Sequence, residues 1–451
     1  MPLVRSAPRP RSWFRALGAA TVIGALALAG CSATPAAKAE SSGSATTKGG
    51  NLTVWFPGTN QTEIDLVTKT IVPAFEKDTG ATVQVTYVDW GNLSTKLNAA
   101  FAAGTAPDVF GHGPAAVADF VVNKRIVPLD DYVATMSADD RKDLAAVLPG
   151  GQVGGKQYLM PLSMLGNLIM YNAADFKAAG LNPDAPPTSW QELATDAEAL
   201  TVRDASGKIT RSGLLLPSQA IGRQQTFASL LLSAGGSQLS ADNKKATFNS
   251  EQGVKALDYF ASLYSGDHAV SAGLGADYIN APTAQQPIVL GTAAMTLQTP
   301  NAMNQIIAAN PGLDLRVMDP LTFQGSSKGY FLGGAGPGLM INADSRQKDL
   351  AWKFISYFLT PAVSAQYTEG IGAVPARASA AKTPYVAKNP VLSTFVRDAD
   401  AFVPNPNVAG WIQIRDTMDK FIEQALNGKM SSKDALDQAA AAVDKILAAN
   451  G

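Results

Sequence analysis

Few side chains in this sequence could do covalent or metal chemistry. Of 451 residues, two are histidine (His112 and His268) and one is cysteine (Cys31). A multi-histidine or cysteine-rich metal centre is excluded, and so is an intrachain disulfide. Acid–base chemistry would fall to carboxylates. Asp130-Asp131 and Asp139-Asp140 are pairs of the kind a glycan-cleaving enzyme needs. Each stands beside a turn or helix start, where acidic residues serve as caps. There is no H-E-x-x-H motif and no P-loop. The residue types that remain suit binding. Six tryptophans offer flat faces for apolar ring surfaces, and amides and hydroxyls can bond polar groups. No metal and no cofactor is expected.

The elements that must position these groups alternate strand and helix. Asn51 to Phe56 is a β-rich run punctuated by Pro57-Gly58. Ile64, Val67, Ile71 and Phe75 recur at helical spacing, and Gly80 ends that helix. Thr82 to Val88 is a second strand, Asn92 to Ala103 a second helix stopped by Gly104, and Asp108 to Phe110 a third strand. This βαβαβ rhythm predicts a parallel sheet flanked by helices. A second unit shows strands at Leu168–Tyr171, Gly213–Leu216, Ile288–Leu290, Ala293–Leu297 and Leu313–Met318. Its helices start at Ser189 or Thr188 and run over Gln252–Tyr264, 411–425 and Ser432–Ala448. Ligands of such sheets bind at the carboxyl ends of strands. Thr59 and Asn60 follow the first strand, Asp89 and Trp90 end the second, and His112 ends the third. Thr59 and Asn60 serve either a ligand or a helix cap. Trp90 either stacks on a ligand or covers the core. His268 reads as a surface residue.

The N-terminus carries Arg5, Arg9, Arg11 and Arg15, then an apolar stretch from Ala16 to Ala29. Fourteen apolar residues fall short of the ~20 a membrane span needs. The pattern reads as a secretory leader over 1–30. Leu28-Ala29-Gly30-Cys31 is a lipobox, which makes Cys31 the lipidated mature N-terminus. More than one acyl chain is then needed for firm anchoring. Residues 31–50 are Ser, Ala, Thr, Gly, Lys and Pro rich and read as a flexible tether. The whole chain balances 36 basic against 37 acidic residues. Without the four leader arginines 32 basic residues remain, and the mature chain is −5. Nucleic acid is not an expected partner.

The order of motifs resembles the extracellular solute-binding proteins (family 1) of bacterial ABC importers, in the carbohydrate branch that includes maltose-binding protein. The segments that carry the resemblance begin with Leu52-Thr53-Val54-Trp55 and Gly104-Thr105-Ala106-Pro107-Asp108-Val109. Met160-Pro161-Leu162, Tyr171-Asn172, Ala178-Ala179-Gly180-Leu181 and Pro187-Thr188-Ser189-Trp190-Gln191-Glu192-Leu193 follow. Then come Gly291-Thr292-Ala293-Ala294-Met295, Gly333-Gly334, Ala351-Trp352-Lys353-Phe354, Gly372-Ala373-Val374-Pro375 and Asn405-Pro406 before Trp411.

The resemblance implies an α/β, two-lobed periplasmic-binding-protein-like fold of type II, each lobe a mostly parallel sheet flanked by helices. Lobe one would take 51–160 plus 333–371, and lobe two 162–328 plus 374–451. The crossings fall near Pro161, Gly329 and Ala373. A monomer would capture a sugar or sugar-like solute between the lobes and deliver it to membrane permease subunits, with no bond made or broken. The implied ligand contacts are Thr59, Asn60, His112, Arg223, Gln225, Gly333, Gly334 and Trp411; the residues alone allow Trp411 to be a core side chain of its helix, Arg223 a solvated arginine and His112 a satisfied loop histidine. Gly333-Gly334 would either let backbone amides approach the ligand or act as a hinge. Relatives often carry a tryptophan where Asn301 stands here, so one stacking platform is missing. A mono- or disaccharide, a polyol or a glycerophosphodiester fits this better than a long stacked oligosaccharide. The alternatives are a surface-anchored enzyme on glycans and a structural lipoprotein.

Overall fold

The structure is a computed structural model and describes residues 49–279, 281–323 and 326–450. The leader, Cys31 and nearly all of the tether lie outside the described residues. No helix among the described residues is long and apolar enough to cross a membrane.

Sixteen strands build the sheets of the described chain. The first are β1 (Asn51–Pro57), β2 (Thr82–Val88) and β3 (Val109–His112). A hairpin of β4 (Gln152–Val153) and β5 (Lys156–Gln157) follows, then β6 (Met160–Pro161), β7 (Ser163–Gly166) and β8 (Leu168–Asn172). Next come β9 (Val202–Arg203), β10 (Ile209–Leu215), β11 (Ala293–Gln298) and β12 (Leu315–Val317). The last are β13 (Phe331–Ala335), β14 (Gly338–Ile341), β15 (Val374–Pro375) and β16 (Phe402–Val403). Two five-stranded sheets result, in the orders β2-β1-β3-β14-β6 and β12-β8-β11-β10-β9. A four-stranded sheet, β15-β7-β13-β16, joins them.

The first sheet follows from its sequence pattern. Leu52, Val54 and Phe56 of β1 are buried, while Asn51 and Thr53 are exposed. That period of two sets one face of the strand against the core. β1 pairs in parallel with β2 and β3, through intervening helices. Gly80 and Gly104 end those helices with φ of 72° and 67°. This left-handed turn favours glycine because it has no Cβ. Asp108 then fixes the edge of β3. Its Oδ2 accepts from the Thr53 amide and hydroxyl, at 2.9 and 2.8 Å, and its Oδ1 from Ser345 Oγ at 2.6 Å.

The strand directions are mixed rather than mostly parallel. β14 runs antiparallel to both β3 and β6. β8 runs antiparallel to β11 and β12. The cause is the chain path. β6, β7 and β8 are consecutive yet belong to three different sheets. β13 likewise leaves the joining sheet and enters the first sheet as β14. A strand that enters a sheet from the joining side runs against strands that leave toward it. Parallel pairing survives where a helix provides the crossover, as at β1–β2 and β10–β11. The run Ile288–Leu290 is a turn, not a strand. The Gln286 carbonyl accepts from the Val289 and Leu290 amides, so the backbone is satisfied locally.

Candidate functional site

Three neighbouring cavities lie between the two large sheets. The first, of about 220 Å³, is walled by Phe56 and Pro57 at the carboxyl end of β1 and floored by Leu162 to Leu165 around β7. The second, of about 290 Å³, shares Leu165 and adds Gly333 of β13. The third, of about 250 Å³, shares Asn167, Gln225 and Thr299 with the second. Strand ends of both sheets and the joining strands thus converge on one run of cavities, where ligands of open α/β sheets bind.

The exposed apolar side chains of this region have a position in common. Trp90 is 47% exposed and lines the first cavity. Leu165 and Ile221 are exposed as well and line the others. Ile221 has φ 65° and ψ −55°. A β-branched residue in that region is strained. It sits at the centre of a γ-turn closed by the Gly222 amide on the Ala220 carbonyl at 2.7 Å.

Several sequence candidates are brought to the cavities. Asn60, Trp90 and Asn301 line the first, and Gln225 lines the second and third. Asn60 also caps the helix Gln61–Leu66, with Oδ1 accepting from the Thr62 amide at 2.9 Å. Thr59 is exposed on the same turn. Asn301 Oδ1 accepts from Gln305 Nε2 at 3.3 Å. Gly333 lines the second cavity and pairs with Gly166 in the joining sheet. A Cβ there would stand 2.6 Å from the Leu165 carbonyl oxygen, so the missing side chain is what permits the pairing. Gly334, at φ 92°, pairs with Leu165.

Other candidates are held elsewhere. Asp89 caps the helix Trp90–Ala103 and accepts from the Gly91 amide at 2.9 Å and Asn92 Nδ2 at 3.2 Å. His112 Nδ1 accepts from the Gly113 amide at 2.9 Å, which leaves the proton on Nε2, 3.1 Å from Ser94 Oγ. Burial holds this imidazole below its usual pKa, so it is neutral. Trp90 meets its ring edge-on at 6.0 Å.

Two expectations need correction. Arg223 does not reach the cavities. It is buried and forks onto Asp419, with Nε–Oδ1 at 3.3 Å and Nη2–Oδ2 at 2.7 Å. Its Nη1 bonds the Ser218 carbonyl at 3.1 Å and lies 3.5 Å from Glu423. The guanidinium therefore locks the helix Gly222–Ser233 to the helix Trp411–Leu426. Trp411 is 1% exposed and belongs to the main apolar core. It starts a buried stripe with Ile414, Met418 and Ile422. Both of its ring faces are covered in this conformation.

The reading of the sequence missed Glu63 and Tyr367, which both line the first cavity. Tyr367 Oη donates to Glu63 Oε1 at 2.8 Å. Burial raises the Glu63 pKa, opposed by the Tyr367 hydrogen bond. In sequence Glu63 stands three residues after a cap, the spacing of a capping box, and that disguised it. Gly325-x-Ser327-x-Gly329 has the spacing of a nucleophile elbow, but Ser327 lies on a bend and the next element is the strand β13, where an elbow leads into a helix. Among the described residues no group of three or more His, Cys, Asp or Glu side chains could hold a metal.

Known proteins are similar to this chain in sequence and in fold. A binding protein of Brucella abortus is 26% identical over 381 residues, covering 83% of this chain and 88% of the relative. The sn-glycerol-3-phosphate-binding periplasmic protein UgpB of Salmonella typhimurium is 24% identical over 374 residues, covering 77% and 81%. The crystal structure of the cyclic alpha-maltosyl-1,6-maltose binding protein from Arthrobacter globiformis matches with a TM-score of 0.75 and 26% identity, covering 88% of this chain and 98% of that one. The profile described as Bacterial extracellular solute-binding protein matches residues 58–365. That stretch is well over half of the chain, begins just after β1 and takes in the other strands of both large sheets and the joining strands β7 and β13, and the chain belongs to this family of bacterial extracellular solute-binding proteins.

Proposed function

We propose that this protein is the solute-binding component of an ABC importer, and that it captures a sugar or sugar-like solute between two lobes and hands it to membrane permease subunits. The observation that carries the reading is the run of cavities lined from both large sheets and floored by β7 and β13. Its lining mixes Trp90, Leu165 and Ile221 with the amides Asn60, Asn301 and Gln225. Apolar surface for the C–H face of a ring and amides for its hydroxyls are what a sugar needs. Each cavity lies below the ~300–1,000 Å³ of clefts for drug-sized ligands, which suits a mono- or disaccharide or a small polyol. The solved relative from Arthrobacter globiformis is a cyclic alpha-maltosyl-1,6-maltose binding protein.

The proposed lobes are 51–160 plus 333–371 and 162–328 plus 374–451, with the crossings close to β7, β13 and β15 as hinge. Closing about them would bury the ligand, and the permease would read the closed form. Cys31 would carry the lipid that keeps the monomer at the outer face of the membrane, with 31–50 as tether. The protein binds and releases, and catalyses nothing.

A melting screen of the mature chain tests this. The panel would hold glucose, maltose, mannobiose, trehalose and glycerol. A ligand at 100 times its dissociation constant adds about 2.7 kcal/mol to stability and raises the melting temperature measurably. Unchanged melting across neutral sugars and polyols at millimolar concentration contradicts the sugar reading. Hydrolysis of any of them would favour a glycan-acting enzyme.

A further inference from the structure

We infer that the cleft selects hydroxyl-bearing solutes over their phosphorylated forms, and that the carboxylate of Glu63 is the ligand-bonding group that sets this choice. The inference rests on the sugar-capture reading and narrows it.

The charge census of the cavities is the first observation. Among the described residues, the linings of all three contain no lysine, no arginine and no histidine. They contain a single acidic side chain, Glu63. A phosphate ester needs cationic or amide-rich partners to replace its hydration. Here it would meet a carboxylate of its own sign with no cation to compensate.

The second observation is how completely the candidate cation is engaged. Arg223 is held by Asp419, the Ser218 carbonyl and Glu423. Freeing it to reach a ligand would leave Asp419 buried and unpaired, which is strongly disfavoured. His112, the nearest histidine, is neutral and committed to Gly113 and Ser94.

The third observation is the bonding of Glu63 itself. Tyr367 donates to Oε1 at 2.8 Å. Oε2 accepts no hydrogen bond from the described residues, and no lysine or arginine among them pairs with the carboxylate. The helix Gln61–Leu66 presents this group at the cavity wall, beyond the capping amide Asn60. A half-satisfied carboxylate at a cavity accepts from ligand hydroxyls, and such charge-assisted bonds are about twice as strong as neutral ones. The surrounding amides, Asn60 and Asn301, can donate as well as accept. A lone carboxylate with no cation beside it opposes an anionic solute, and glucosamine beside glucose in the test asks whether it bonds an ammonium group or a hydroxyl.

The experiment is calorimetric titration of the mature full-length chain and its Glu63→Gln and Glu63→Ala variants. The probes are glucose, maltose, mannobiose and glycerol, then glucose 6-phosphate, sn-glycerol 3-phosphate and glucosamine. We expect at least one neutral probe to bind wild type, with the phosphorylated probes at least a hundredfold weaker. Glu63→Gln, folded by circular dichroism, should lose tenfold or more in affinity for the neutral probe and narrow its margin over the phosphate. The wild-type comparison stands whatever happens to the variants. Binding of sn-glycerol 3-phosphate or glucose 6-phosphate as tight as that of the neutral probe overturns the inference, and so does glucosamine binding without glucose binding. Folded Glu63 variants with unchanged affinity overturn the role of Glu63 and leave the sugar reading intact. Failure of every probe removes the sugar reading, and the inference goes with it.

Discussion

Tyr367 Oη donates a 2.8 Å hydrogen bond to Glu63 Oε1, joining residues 304 positions apart in the chain. The bond ties the helix Pro361–Ile371 to the helix that follows β1, at the wall of the first cavity. It also holds a carboxylate partly out of water, and burial raises its pKa above the ordinary 4.5.

That displacement has a stability consequence with a definite sign. A group whose folded pKa lies above its unfolded value favours folding when protonated, and the contribution fades as pH rises through the folded value. At neutral pH the ionised Glu63 is therefore a cost to the ligand-free protein. Tyr367 and Tyr87 are the titratable groups beside it, and both stay protonated, their pKa values pushed up chiefly by burial. Glu63→Gln should melt above wild type at pH 7 without ligand, and the gap should close near pH 4. Melting curves at the two pH values check this. A variant that melts below wild type at pH 7 would show that the carboxylate is stabilising.

Trp90→Ala should separate binding from folding. The ring is 47% exposed and meets His112 only edge-on. Its loss should leave the melting temperature nearly unchanged and weaken sugar binding about tenfold, or about 1.4 kcal/mol. Calorimetric titration beside a melting curve reads both. An unchanged affinity would remove Trp90 from the site.

Trp411→Ala should do the reverse. The side chain is fully buried on a four-residue apolar stripe, and truncation of a core tryptophan costs about 3–5 kcal/mol. Urea unfolding should show that loss with any surviving affinity close to wild type. A stable Trp411→Ala protein with abolished binding would return this residue to the cleft.

Arg223 and Asp419 should behave as one unit. Either substitution alone strands a buried charge, at about 3–5 kcal/mol. The pair Arg223→Met with Asp419→Leu should recover most of it, because burying two apolar side chains avoids the desolvation of two charges. Unfolding of the two single variants and the double variant gives the coupling. Additive losses would deny the pairing.

Ile221→Gly should stabilise the protein by about 1 kcal/mol, since it releases backbone strain of about 1–3 kcal/mol against the entropy glycine adds to the unfolded chain. The same change removes an apolar contact from the third cavity and should weaken binding. A loss of stability would mean that the γ-turn is held without strain.

Much of the fold was legible because it rests on local patterns. β2 falls on Thr82–Val88 as its alternation indicates, and Gly80 and Gly104 close their helices as C-caps. The mixed strand directions were hidden, because they depend on which segments cross between sheets. Asn60, Trp90, Asn301 and Gln225 line the cavities, in keeping with their strand ends and family positions. Arg223 and Trp411 do not, since their partners, Asp419 and the apolar stripe, are fixed by how distant helices pack. Glu63 was the instructive omission. Its local spacing reads as a cap, and the partner that turns it toward the cavity arrives only at Tyr367.

Calorimetric titration of the mature chain with neutral sugars and their phosphate esters tests the central claim most directly. The expected result is saturable one-to-one binding of a neutral sugar with the phosphate ester at least a hundredfold weaker. Tight binding of the phosphate ester, or no binding of any sugar, would contradict it.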